Sequence, residues 1–159
     1  MTTPLIVYFS KTGHSEQLAR LTQALVGGDL CELNLVARYP ENYILSVMRS
    51  GASLISGELP KLRRIPDISA YREILLCYPL WWWDLPTPVM RFLHDVDTAA
   101  KTIYPICSCG GGGLGKSVKR IRKLAPYAAV QKGIFIREAD TNNKTAEESL
   151  AAYLAPLRR

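Results

Sequence analysis

Two periods of apolar spacing alternate along the chain. Leu5-Ile6-Val7-Tyr8-Phe9 is an unbroken apolar run of strand length, and Leu18, Leu21 and Leu25 form a helical stripe across 14–26. Residues 30–35 read as a second strand, and Tyr43, Ile44, Val47 and Met48 as a short helix or ordered excursion before Gly51. The segment 53–67 carries Gly57, Pro60 and Pro66 and is expected to be irregular. A third strand over 73–77 runs into Tyr78-Pro79, and a short helix near 86–94 takes Pro86 or Pro88 in its first turn. A fourth strand over 101–107 stops at a run of glycines. A helix near 114–125 then ends before Pro126, followed by a fifth strand near 130–136. Asp140 or Thr141 is placed to cap a last helix striped by Ala146, Leu150, Leu154 and Leu157.

Strands that alternate with helices predict an α/β fold in which a mostly parallel sheet is covered on both faces. Right-handed crossovers make a doubly wound three-layer sandwich the simplest topology, and 159 residues suffice for one domain, 1–159. The apolar share of 48% supports a true core. No run approaches the ~20 apolar residues needed to cross a bilayer, and no basic region precedes the first strand. No membrane span and no signal peptide are expected, and the location inferred is cytoplasmic.

Charge adds one feature. The net +6 includes Lys116, Lys119, Arg120 and Lys123, spaced along one helix face with Arg122 beside them, while Leu114, Val118, Ile121 and Ala125 take the other. Such a stripe is either a solvated face or a docking surface for an acidic partner or an anionic pyridine nucleotide. Nucleic acid is not expected, because no aromatic residues interleave with the charge. Of the four cysteines, Cys31 and Cys77 lie in apolar strand patterns. Cys107 and Cys109 share a side of their strand and could be reactive or cofactor-lining. No metal-ligand spacing is present, so no metal is expected.

The chemistry concentrates in three segments that each follow a strand. The first, Ser10-Lys11-Thr12-Gly13-His14-Ser15, brings hydroxyls and backbone N–H groups to a helix N-terminus, where they can cradle a phosphate; the bland alternative is simple helix capping. It is neither a Walker loop nor Gly-x-Gly-x-x-Gly. The second, Pro79-Leu80-Trp81-Trp82-Trp83, puts three consecutive indoles on a loop, suited to stacking on a planar ligand, with Trp81 or Trp82 ahead of Trp83. The third, Ser108 onward, has five glycines among residues 109–115, which clears side chains from a close approach. In an open parallel sheet, ligands sit beyond the carboxyl ends of the strands, where the strand order reverses. No hydrolytic triad or carboxylate cluster is present, and no catalytic side chain is assigned.

Tyr8 to Ser15, Tyr39-Pro40-Glu41-Asn42-Tyr43, Tyr71 to Pro88 and Pro105 to Gly115 together resemble the flavodoxin family, in particular bacterial flavodoxin-like proteins with a Tyr-Pro-Ile/Leu-Trp-Trp flavin loop. The resemblance implies a five-stranded parallel sheet in the order 2-1-3-4-5 and non-covalent FMN. Ser10, Thr12, Gly13, His14 and Ser15 would hold the phosphate. Pro79, Leu80, Trp81 and Trp82 would line the isoalloxazine, with Ser108, Cys109, Gly110 and Gly111 at its other edge. Trp83 and Cys77 stand where many relatives have glycine, and Cys109 and Gly112 where serine is common. The function implied is that of an FMN-dependent oxidoreductase or electron carrier, served by a redox partner protein or by NAD(P)H and a small quinone-like acceptor. The positive balance predicts a less negative flavin potential, provided the basic helix lies near the site. The competing reading is an interaction module of the same fold with lost or weakened FMN binding. A monomer and a homodimer are both open.

Overall fold

The computed structural model describes residues 2–158. Six parallel strands form one sheet: β1 (Leu5–Tyr8), β2 (Asp29–Glu32), β3 (Glu73–Pro79), β4 (Thr102–Cys109), β5 (Ala129–Val130) and β6 (Ile134–Arg137). The order is β2-β1-β3-β4-β5, with β6 also paired to β4. The expected fifth strand is therefore present but split in two. Ile103 accepts a bond from Gln131 N, whereas Ser108 accepts one from Leu80 N on the β3 side. Residues 103, 105 and 107 thus address the β5/β6 edge, and Pro105 has no N–H to give it. The break falls opposite this proline, where Gly133 turns the chain at φ +81°.

Alternating side chains on β1 divide the core. Ile6 and Tyr8 pack with Leu18 and Ala19 of α1 (His14–Val26), with Ala146 and Leu150 of α5 (Lys144–Tyr153) and with Leu154 just after it. Leu5, Val7 and Phe9 face the opposite layer, which includes Val89 and Phe92 of α3 (Thr87–Asp95) and Ile121 of α4 (Ser117–Leu124). A strand buried on both faces needs the unbroken apolar run seen in the sequence. The remaining helix, α2 (Tyr43–Ser56), runs straight through Gly51 for 14 residues, longer than the short helix expected. Two further boundaries differ. α4 starts at Ser117 rather than 114, and Asn143 caps α5 through its side chain in place of Asp140 or Thr141. Among the described residues no helix is long and apolar enough to cross a membrane.

Strand order reverses between β1, whose chain leaves for β2 at one edge, and β3, on its other side. The C-terminal ends of these two strands and of β4 carry the three chemically distinctive loops.

Candidate functional site

The β1–α1 turn ends at Gly13, the residue before α1, at φ +96° in the left-handed region that favours glycine. Ser10 Oγ accepts from Gly13 N at 3.0 Å, so the Ser10 hydroxyl proton stays free. Among the described residues no side chain caps α1, which leaves its first-turn N–H groups available to an anion. Thr12 is exposed on the turn. Ser15 is buried and shares a 2.8 Å hydroxyl–hydroxyl bond with Ser108, tying α1 to β4. His14 is held by Thr141, whose Oγ1 directs its proton to Gln17 Oε1 (2.8 Å) or the Glu138 carbonyl (3.1 Å). That leaves Thr141 Oγ1 to accept from His14 Nδ1–H at 3.1 Å. Thr141 and Gln17 had no ligand-related signature in the sequence, and Thr141 looked only like a cap.

The second loop is a two-residue hairpin. Trp81 and Asp84 exchange backbone bonds of 3.2 and 3.0 Å, and both residues between them, Trp82 and Trp83, sit at φ +55°. Positive φ at both central positions is the type I′ geometry, ordinarily filled by Asn-Gly. The three indoles consequently diverge. Trp81 is buried in the core, edge-on to Phe9 at 5.4 Å and tilted on Tyr39 at 5.8 Å, with Tyr43 edge-on to it at 6.3 Å. Trp82 donates to the Val47 carbonyl at 2.6 Å and lies on Gly51, where a Cβ would come within 2.6 Å of the ring. Trp83 is the most exposed of the three. Asp84, nearly fully buried, accepts from Leu85 N at 2.7 Å and pairs with Arg120 at 2.7 Å. One member of the basic stripe is thereby a strut of this loop, while Lys116, Lys119, Arg122 and Lys123 remain exposed.

The glycines of the third loop serve two purposes. A Cβ at Gly115 would meet the Trp83 carbonyl oxygen at 2.3 Å, and one at Gly112 would meet Leu80 Cδ2 at 2.8 Å, so these two admit the second loop. The Trp83 carbonyl also accepts from Lys116 N at 2.7 Å. A Cβ at Gly110 or Gly111 would meet nothing within 4 Å, and that space is open. Val47, Leu80, Trp82, Trp83, Gly110 and Gly112 line a cleft of about 310 Å³ here, at the small end for a ligand site. A larger groove of about 620 Å³ runs along the β2 edge past Arg63, Arg64 and Asp67. It is a crease between a strand edge and an irregular segment, away from the strand reversal. The smaller cleft is therefore the candidate site, at the sheet edge that also carries the uncapped start of α1.

Pro79, Ser108 and Cys109 are buried beneath this edge. Cys107 is buried in the same core cluster, and desolvation pushes its thiol well above the ordinary range. The Cys77 thiol is pushed up to about 12 by the same cause. Both stay protonated near neutral pH and are poor nucleophiles.

The sequence model of the flavodoxin family matches residues 3–153. No curated protein matches the sequence. Among solved structures, a flavoprotein candidate from Bacteroides eggerthii is similar at 25% identity, with 99% of this chain and 98% of that one covered and a TM-score of 0.84. A flavoprotein from Lactobacillus acidophilus, solved in complex with FMN, is similar at 17% identity over 87% of this chain and 94% of that one, TM-score 0.74. An NADH:FMN oxidoreductase in its apo form shares the fold at 12% identity over 99% of this chain and 89% of that one, TM-score 0.67.

Proposed function

This chain belongs to the flavodoxin family, and from that premise we propose that it binds FMN non-covalently and acts as an FMN-dependent oxidoreductase or electron carrier. The observation that carries the reading is the pairing, at one sheet edge, of an uncapped helix start at Gly13 with empty space at Gly110 and Gly111. The strand order 2-1-3-4-5 is the one in which flavodoxins hold FMN at the β1/β3 reversal.

In this reading the free Ser10 hydroxyl, Thr12 and the first-turn N–H groups of α1 bind the phosphate, with the helix dipole favouring its charge. Gly13 admits the anion to the backbone, and His14, oriented by Thr141, flanks it. Ser15, its hydroxyl engaged by Ser108, contributes its N–H and holds the turn on the sheet. Leu80, Trp82 and Trp83 form one wall for the isoalloxazine, while the backbone of Gly110 and Gly111 forms the other. Pro79, Trp81, Ser108 and Cys109 support these walls from beneath. FMN supplies the one- and two-electron chemistry, which needs no acid or base from the chain.

Lys116, whose N–H bonds the Trp83 carbonyl, supplies positive charge beside the cleft, and the exposed Lys119, Arg122 and Lys123 extend it along α4. That charge suits an acidic redox partner or an anionic nicotinamide cofactor. Four free cysteines suit a reducing compartment, and we include a cytoplasmic location in the proposal. Titrating the apoprotein with FMN and following flavin fluorescence tests the reading: quenching that saturates at one equivalent supports it, and undiminished fluorescence at millimolar FMN overturns it. Anaerobic mixing of the flavin-loaded protein with NADH or NADPH then separates the two subclasses, since a reductase bleaches the flavin absorbance rapidly and a pure carrier does not.

A further inference from the structure

Helix α2 leaves more large apolar side chains outside than it packs inward. Ser46, Ser50 and Gly51 are fully buried and Val47 and Leu54 half-buried against the core, whereas Ile44, Leu45, Met48 and Ile55 are exposed, the last by 90%. The small inward positions have a reason: Gly51 lies against the Trp82 ring, and Ser46 bonds back to the Pro40 and Asn42 carbonyls. No such reason explains four large apolar side chains in water.

Their spacing says what they fit. Leu45, Met48, Ala52 and Ile55 follow one another at steps of three, four and three residues, the seam of a helix that packs on another helix. The seam is self-complementary when run antiparallel: Met48 falls opposite the small Ala52 of a second copy, and Leu45 opposite Ile55. A two-fold axis near residue 50 generates both pairs twice, as an isologous interface requires. The outward faces of these four residues and of the neighbouring Ile44 amount to roughly 500 Å² per chain, so a pair of copies reaches about the 1,000 Å² that a specific interface should clear. The seam carries no acidic residue and only Arg49 beside it, so it offers little charge to an unlike partner.

We propose that the chain forms a homodimer in which α2 packs antiparallel against α2 of a second copy, bringing that copy over the rim of the Trp82/Trp83 cleft. The dimer does not depend on flavin occupancy, and its test is separate from FMN binding. Light scattering after gel filtration of the full chain, with and without FMN, should give twice the 17.7 kDa chain mass at micromolar concentration. Met48→Glu and Ile55→Lys, both at exposed positions, should give the single mass with unchanged circular dichroism. Leu45→Cys/Ile55→Cys should oxidise to a covalent dimer, whereas either single cysteine variant, whose like residues lie about 15 Å apart along the axis, should behave as the wild type. A wild type that stays monomeric at several hundred micromolar overturns the proposal. So does a dimer that survives both charge substitutions, cross-linking by the single variants alone, or a monomer that binds phosphatidylglycerol vesicles through this face.

Discussion

Gly110 and Gly115 lie five residues apart in one glycine-rich loop, and the structure assigns them opposite sensitivities. An alanine at Gly115 must adopt φ +49°, which costs about 1–2 kcal/mol for a residue with a Cβ. Its Cβ would also stand 2.3 Å from the Trp83 carbonyl oxygen, a backbone atom that cannot swing aside. Moving that carbonyl gives up the bond from Lys116 N, worth about 1 kcal/mol. A stiffer unfolded chain returns about 0.4–1 kcal/mol, leaving Gly115→Ala destabilised by about 2 kcal/mol. For a chain of this length that is roughly a 4–8 °C fall in Tm. Gly110→Ala meets nothing within 4 Å, and its effect on apoprotein stability should lie within about 0.5 kcal/mol of zero. Its methyl group instead enters the space assigned to the flavin and should weaken FMN binding about tenfold or more. Urea unfolding of both apoproteins, followed by FMN titration, checks the pair. The reasoning fails if Gly115→Ala is as stable as the wild type, or if Gly110→Ala binds FMN with unaltered affinity.

The three tryptophans should respond by position rather than by size. Trp81→Ala should cost about 3–5 kcal/mol in urea unfolding, because it empties a core site, whereas Trp83→Gly should cost under about 1.5 kcal/mol, relief of the positive-φ strain offsetting the lost contacts. Asp84→Ala should cost about 2–3 kcal/mol, since it leaves Arg120 and Leu85 N without their acceptor in the second loop; a loss under about 0.5 kcal/mol would refute the strut. Alkaline pH should destabilise the fold. Burial raises the Cys77 thiol from 9.0 to about 12, so its contribution is intact below pH 9 and is lost between 9 and 12, at about 1.4 kcal/mol per pH unit. Denaturant unfolding at pH 8, 9 and 10 should show that slope, and Cys77→Ala should reduce it by one thiol's share.

Legibility in the sequence followed how locally each feature is caused. The runs Leu5–Phe9 and Ile74–Tyr78 are apolar throughout because both of their sheet faces are covered, and that alone marks central parallel strands. The phosphate-type turn was visible for the same reason, since a glycine amid hydroxyls before a helix needs only near neighbours. The edge strand was less legible, because its break depends on Pro105 of another strand. Helix α2 was partly hidden: Gly51 looks like a stop, yet the requirement that sets it there is the Trp82 ring, 31 residues away. Thr141 and Gln17 meet His14 only through the return of the chain before α5.

By itself the sequence determined the alternation of buried strands and amphipathic helices, and with it a doubly wound sheet and the three loops that gather at one edge. Tertiary structure alone decided how those loops divide their labour. It sent Trp81 into the core and Trp82 and Trp83 to the cleft, made Arg120 a partner of Asp84 instead of one more surface charge, and separated glycines that admit protein from those that leave room. The physical reason is range: periodicity and backbone preference act over a few residues, whereas the space around a side chain is set by segments that folding brings in from elsewhere in the chain.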